Sequence, residues 1–334
     1  VKVAIVNDQT LAVEALRRAL ALDSLYEVIW VANNGIQAIE MAIKHRPDII
    51  LMDLLMPVMD GVEATKRIMQ QAPCAIIIVT SDKDKHLSRV FEAMGYGALD
   101  AVNTPSFSQN RADFEPLFRK IYNVGLLVGA VEKRPQTGIP AVTSANTSKK
   151  LIAIGASAGG PAALATILKA LPRSFNAAIV LIQHVDEVFA GSMATWLATQ
   201  CQLPIRLAKD NEEPIIGTVL LAGTNHHAQL LSTGRIVYTQ EPSHLVYRPS
   251  VDVFFESVAQ TWKGQAVGVL LTGMGRDGAK GLKTMKDKGF LTIAQDEQSS
   301  AVYGMPKAAA AIGAAHEILA LDKIAARLIK AVGG

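Results

Sequence analysis

Ser157 lies in the run GASAGG (Gly155 to Gly160), where small residues surround one hydroxyl between an apolar run and a helical pattern. A strand–turn–helix elbow at this point would lift the side chain over a sheet edge and beside helix amides. A dinucleotide-binding loop would want glycine where Ser157 stands, and a phosphate-binding loop would want a following Gly-Lys-Ser/Thr, which is absent. A nucleophile elbow needs small neighbours, and Gly155, Ala156, Ala158 and Gly159 supply them; a plain turn with a solvated serine asks for nothing more. A nucleophilic serine needs a base. Of seven histidines, His184 is the best placed, because it ends the apolar run AAIVLIQHV. The base in turn needs an orienting carboxylate. AVGVLLTG runs into GMGRDGAKG, which puts Asp277 at a third strand end. Gly273, Gly275 and Gly278 let that loop turn tightly, and its amides, with that of Ala158, could form an oxyanion hole of donors worth about 2.7–4 kcal/mol each. Taken alone, GMGRDG reads better as a metal- or phosphate-binding loop, or as a simple turn in which Asp277 caps a helix; Ser157 and His184 at two other strand ends turn the weight toward a triad.

A second constellation precedes it. Asp8 follows one apolar run, Asp53 follows another, and Thr80 ends a third. Neighbouring carboxylates at strand ends suit Mg²⁺, a hard cation that keeps several waters. With the metal present, Asp53 could attack a phosphoryl group, and Thr80 could bond one of its oxygens. A single Asp in such a place more often caps the next helix. The run DLLMPVMDG adds weight here, because Pro57 and Gly61 shape a loop beside Asp53.

The elements that must position these residues alternate. Strands are predicted over Lys2–Asn7, Glu27–Ala32, Ile49–Met52, Ala75–Thr80 and Asp100–Val102, with helices over Leu11–Leu22, Gly35–Lys44, Gly61–Gln70, Asp84–Met94 and Asp113–Val128. The apolar strands are continuous rather than alternating, which implies parallel sheets covered on both faces. After a segment rich in Pro, Thr, Ser and Asn the alternation resumes. Strands are then expected near Leu151–Gly155, Ala177–Gln183, Thr218–Ala222, Arg235–Thr239, Ala266–Thr272, Leu291–Ala294 and Glu317–Ala320. Helices are expected near Gly160–Ala170, Ala190–Thr199, Val251–Trp262, Gly278–Lys288, Lys307–Ile312 and Asp322–Ala331. The expectation is two α/β domains, 1–128 and 149–334, joined by a linker over 129–148.

Composition narrows the classes. A chain of 334 residues with half of them hydrophobic suits two buried cores, and a net charge of +3 without a basic stripe speaks against nucleic acid as a partner. Two isolated cysteines, Cys74 and Cys201, suit a reducing compartment rather than a disulfide framework or zinc site. The opening VKVAIVNDQT is too short an apolar run for a signal peptide, and charges interrupt every longer one, so a cytoplasmic protein with no direct membrane insertion is expected. Two weaker features remain. His226 and His227 read as a surface hairpin rather than a metal site, and Arg248 either positions substrate or pairs with Asp252.

The first domain, through DLLMPVMDG and its strand-end residues, resembles the receiver domains of bacterial response regulators. That resemblance implies Asp53 as phosphoacceptor, Asp8 with Asp53 as Mg²⁺ ligands, Thr80 as the phosphoryl contact, and a histidine kinase as phosphodonor. Two departures stand out: Asn7–Asp8 replaces an acidic pair, and Thr104 replaces the lysine before Pro105, a contact otherwise worth about 1.5–3 kcal/mol. Lys83 or Lys85 is a candidate substitute. GASAGG, IQHV, YRPSVDVFF, LLTGMGRDGAKG and MPKAA resemble the catalytic domain of the chemotaxis-type protein-glutamate methylesterases. The pairing implies a flavodoxin-like receiver and a larger, Rossmann-like methylesterase domain, both doubly wound.

The same resemblance implies Ser157 as nucleophile, His184 as base and acid, Asp277 as carboxylate, and the Met274 amide near the oxyanion. It also implies amidase action on some glutamines, a methylated chemoreceptor-type transmembrane protein as substrate, no cofactor for the hydrolase, and relief of receiver shielding on phosphorylation. The wording VNDQTLAVEALRRAL, with the missing lysine, is similar to the methylesterases of Wsp-type surface-sensing systems. The alternatives are a non-catalytic regulator that binds receptor tails and a nucleotide-dependent oxidoreductase using GASAGG.

Overall fold

The computed structural model describes residues 1–80, 87–105, 114–129, 149–245 and 247–333. The chain divides into two compact units, Val1–Arg134 and Pro135–Gly334. The expected linker beyond residue 129, and Lys83 and Lys85, lie outside the described residues.

In the first unit the strands β1 (Lys2–Val6), β2 (Glu27–Ala32), β3 (Ile49–Asp53), β4 (Ala75–Thr80) and β5 (Asp100–Asn103) alternate with α1 (Thr10–Ala21), α2 (Gly35–Lys44), α3 (Gly61–Gln71), α4 (Leu87–Gly95) and α5 (Glu115–Leu127). All pairings are parallel, in the order β2-β1-β3-β4-β5. Every residue of β3 (IILMD) and β4 (AIIIVT) is buried, which is why these runs show no polar alternation. The order reverses between β1 and β3, so a crevice opens at their carboxyl ends. Asn34 and Asp60 start α2 and α3 by accepting the Gln37 and Glu63 amides, each at 3.0 Å.

In the second unit β6 (Lys150–Ala156), α6 (Gly160–Lys169), β7 (Ala178–Gln183), α7 (Glu187–Ala198), β8 (Ile205–Leu207), β9 (Val219–Leu221), β10 (His227–Leu230) and β11 (Ile236–Thr239) come first. They are followed by α8 (Val251–Thr261), β12 (Gln265–Leu270), α9 (Ala279–Asp287), β13 (Leu291–Gln295), α10 (Met305–Ala311), β14 (Glu317–Leu319) and α11 (Leu321–Ala331). Seven strands form one parallel sheet in the order β14-β13-β12-β6-β7-β9-β8. The predicted strand at Arg235–Thr239 belongs elsewhere: it pairs antiparallel with β10 in a separate hairpin. Only a short turn separates the two runs, closed by the Leu231 amide on Arg235 O at 2.9 Å, and so short a connection cannot make a parallel crossover. The edge strand β8, three half-buried residues, and β10 escaped the pattern reading.

Helix α6 packs with α7 and α11, and α9 packs with α8 and α10. Beneath α8 and α9, Val251, Phe254, Phe255, Leu282 and Met285 are fully buried against the sheet. The strand order reverses between β6 and β12, which places a second crevice where β6 ends.

Candidate active site

Ser157 follows β6 directly and bridges the two strands that flank it. Its amide donates to Thr272 O at the end of β12 (3.0 Å), and the His184 amide, just past β7, donates to Ala156 O (3.1 Å). Three strand ends therefore meet at one hydroxyl. The elbow is tight because its neighbours lack side chains. Gly159 has φ +78°, and a Cβ on it would lie 2.6 Å from Ala301 Cβ. A Cβ on Gly273 would lie 2.8 Å from Ser157 Cβ, so the GMGRDG loop can sit directly on the serine only with glycine there.

The imidazole and the carboxylate are joined. His184 Nε2 is 2.7 Å from Asp277 Oδ2, and both side chains are largely buried. Asp277 Oδ2 also accepts the Val251 amide (2.7 Å), while its Oδ1 accepts Ser250 Oγ (2.7 Å) and the amides of Asp252 (3.0 Å) and Gly278 (3.1 Å). The carboxylate thus sits on the N-terminus of α8 as an anion on a helix dipole. Asp277 therefore both caps α8 and bonds the His184 ring. Burial alone would push its carboxyl up. The hydrogen bond and charge of His184, with the Asp252 and Val251 amides, outweigh burial and hold the carboxyl below its usual value. With Nε2 committed to Asp277, the other ring nitrogen, Nδ1, is buried without a hydrogen-bond partner. Ser157 Oγ does not bond it in this conformation, and such contacts often close only when substrate arrives. Around the serine, the amides of Ala158 and Met274 donate to no acceptor among the described residues.

Several positioning residues escaped the sequence reading. Thr272 Oγ1 donates to Ala158 O (2.8 Å) and accepts the Val302 amide (2.9 Å), strapping the elbow to β12. Gln183 Nε2 donates to Ser157 O (2.9 Å) and His184 O (3.2 Å), clamping two strand ends together. Ser250 was legible as an N-cap ahead of VDVFF, but its partner Asp277 was not. His227 corrects an expectation: it lies in a hairpin but is fully buried, not on the surface. Its Nε2 donates to Pro242 O (3.2 Å) and its Nδ1 accepts the Ser250 amide (3.1 Å). Burial pushes its pKa down, in keeping with a neutral ring. Arg248 does not pair with Asp252; its Nη2 donates to Ser243 O at 2.6 Å.

Asp252 instead accepts the Gly281 amide at 2.7 Å, so α8 and α9 each carry a carboxylate supplied by the other's end. Burial pushes Asp252 up to about 7, reinforced by the charge of Asp277 and opposed by the Gly281 amide, with Glu256 raising it further and Lys280 lowering it. Between its ordinary value, about 4, and this raised one, the folded chain holds a proton that the unfolded chain has lost. Stability then falls as pH rises through that window. Asp252→Asn keeps an acceptor for Gly281 and cannot ionise. In thermal unfolding of the full chain, the variant's advantage over wild type is expected to open between pH about 4 and about 7. Equal profiles across that window would show Asp252 to titrate normally.

In the first unit Asp53 ends β3, is 8% exposed, and accepts the Leu54 amide at Oδ1 (2.7 Å). A Cβ on Gly61 would stand 1.9 Å from Asp53 O, so the loop that turns back over Asp53 requires glycine there. Asp8 is exposed, and Asn7 Oδ1 is taken by the Gln9 amide (2.8 Å). Thr80 is buried at the end of β4, and its carbonyl accepts the Thr104 amide (2.9 Å). Lys120, the one buried lysine among the described residues, pairs with Asp100 at 2.6 Å. Asp100 begins β5, at the edge opposite Asp53, so Lys120 does not replace the lysine that Thr104 displaces.

Among the described residues, no helix is long and apolar enough to cross a membrane. Residues 152–328 match the family described as CheB methylesterase, and residues 3–111 match the response regulator receiver domain. The chain is 62% identical over 329 residues to the protein-glutamate methylesterase/protein-glutamine glutaminase 3 of Pseudomonas aeruginosa, covering 98% of each chain. It is 59% identical over 335 residues to a Cupriavidus metallidurans protein of the same designation, numbered 2, covering 100% of this chain and 99% of that one. The solved CheB methylesterase catalytic domain of Thermotoga maritima aligns with a TM-score of 0.52 at 35% identity, over 55% of this chain and 99% of that one. The chain belongs to the CheB methylesterase family, with a response-regulator receiver domain preceding the methylesterase domain.

Proposed function

We propose that this chain hydrolyses the methyl esters of glutamate side chains on a chemoreceptor-type signalling protein and deamidates glutamines there, using Ser157, His184 and Asp277. The observation that carries the reading is the buried His184–Asp277 pair, whose unpartnered Nδ1 lies one strand away from Ser157. The relatives named protein-glutamate methylesterase/protein-glutamine glutaminase support both substrates. Capping α8 accounts for the Asp277 carboxylate but not for a buried imidazole nitrogen left without a partner beside a serine, which a regulator that only bound receptor tails would not need.

Ser157 Oγ attacks the ester carbonyl carbon as its proton passes to His184 Nδ1, while Nε2–H stays on Asp277. The carbonyl oxygen, now an anion, takes hydrogen bonds from the Ala158 and Met274 amides. Collapse breaks the bond to methoxide, which leaves as methanol with the proton from Nδ1. Water then attacks the glutamyl-serine ester, again giving one proton to Nδ1; collapse returns that proton to Ser157 and releases the glutamic acid side chain, which loses its own proton to solvent as the carboxylate. With glutamine the leaving group is ammonia. A fluorophosphonate probe should label the Ser157 peptide of the full chain, and methylated receptor should release methanol. An unlabelled serine with no methanol would end the reading.

Control is assigned to Asp53, with a kinase phosphohistidine as donor. Asp8 and Asp53, carboxylates following the neighbouring parallel strands β1 and β3, suit a hard cation such as Mg²⁺, although Asn7, already engaged by Gln9, offers no third charge. Asp8 and Asp53 would hold the ion, which supplies charge neutralisation for the incoming phosphoryl group, and Thr80 would bond one of its oxygens. Acetyl phosphate with Mg²⁺ should raise the wild-type rate about tenfold, within the usual range for coupled sites. Asp53→Ala should not respond. An equal response in the variant would place the acceptor elsewhere.

A further inference from the structure

We propose that Tyr247 is a positioning residue for the hydrolysis, its ring holding the plane of the His184 imidazole and favouring the cation formed as Ser157 is deprotonated; this rests on the esterase reading above. The two rings stack with centroids 3.9 Å apart and planes 7° from parallel. The single hydrogen bond to Asp277 fixes where Nε2 lies, but a ring on one hydrogen bond can still swing about that contact. A flat surface against its face removes this freedom and leaves the Nδ1 edge clear. The stack therefore complements the carboxylate, one setting the tilt and the other the direction.

The surface is itself fixed. Tyr247 stands three residues before Ser250, whose amide donates to buried His227 Nδ1, while His227 Nε2 donates to Pro242 O. Arg248 closes the same segment onto Ser243 O. Ser250 then bonds Asp277, so the aromatic ring and the carboxylate are held by one strap. An aromatic face attracts an imidazolium more than a neutral imidazole. The contact thus strengthens as the proton arrives and lowers the barrier rather than tightening substrate binding.

The test compares Tyr247→Phe, which keeps the ring, with Tyr247→Leu, which keeps an apolar cover and loses the π face. Y247F should stay within about twofold of wild-type kcat, whereas Y247L should lose about tenfold in kcat with KM little changed. The acidic limb of the Y247L profile should also move to lower pH. Among the described residues, Asp252, Glu256 and His227 interact with the Asp277 charge, Lys280 with Asp252 and Glu256, and His226 and Arg248 with His227, and none of them differs between the two variants. A fall in kcat with an unmoved limb, a change confined to KM, or equal losses in both variants would overturn the proposal. An NMR titration of the His184 ring in the Ser157→Ala background reads the same contact without turnover. Its midpoint should lie lower in Y247L than in Y247F, and identical midpoints would overturn the stacking role. Absent methanol release from wild type would instead overturn the esterase reading.

Discussion

Ser157→Ala brings methanol release from methylated receptor down to background, a loss on the order of 10⁶ in kcat by comparison with other serine hydrolases. The size follows from the chemistry, since without the hydroxyl no acyl intermediate forms and the loop amides have no covalent adduct to hold. The fold should survive. The Ser157 hydroxyl makes no hydrogen bond among the described residues, and alanine keeps the Cβ against which Gly273 is fitted. Gas-chromatographic methanol measurement, with thermal unfolding as a control, decides it. A variant that unfolds like wild type yet retains a tenth of the turnover would remove Ser157 from the mechanism.

Asp277→Asn is expected to lower kcat by about 10⁴, the scale seen when a triad carboxylate becomes an amide. The reason here is specific. Oδ1 faces three donors and Oδ2 faces two, from Ser250, Asp252, Gly278, Val251 and His184. An asparagine must turn its NH₂ toward one of these sets. With the amide oxygen on the more crowded side, the NH₂ confronts His184 Nε2 and the Val251 amide. The imidazole then gives up the Nε2 proton and carries it on Nδ1, the nitrogen that must accept from Ser157. The prediction is a kcat loss with KM within a few-fold, together with a lowered unfolding temperature because the N-terminus of α8 loses an anion. A variant with wild-type kcat would mean that Asp277 serves only as a cap.

The alternation of strands and helices was legible because its cause is local. Runs such as IILMD and AIIIVT, buried at every position, tolerate no polar residue, so the parallel sheet is written into composition. Ser157, His184 and Asp277 were legible for a related reason: a parallel sheet gathers strand ends at one edge, so chemistry-bearing residues just past apolar runs are candidates together. The hairpin of β10 and β11 was harder, since a strand of four residues carries too few positions to establish a period. The burial of His227 was hidden, because both of its partners come from a segment more than ten residues away.

Local pattern along the chain therefore determined which residues end which strands, and with that which hydroxyl, imidazole and carboxylate are the candidates. Tertiary structure alone decided how they are placed. It set Asp277 on the N-terminus of α8, gave Nε2 rather than Nδ1 to the carboxylate, and laid Tyr247 over the imidazole. The physical reason is range: strand and helix periods arise from neighbours a few residues apart. A side chain's hydrogen-bond partners are chosen by packing between segments that the chain order keeps distant, as with the 93 residues separating His184 from Asp277.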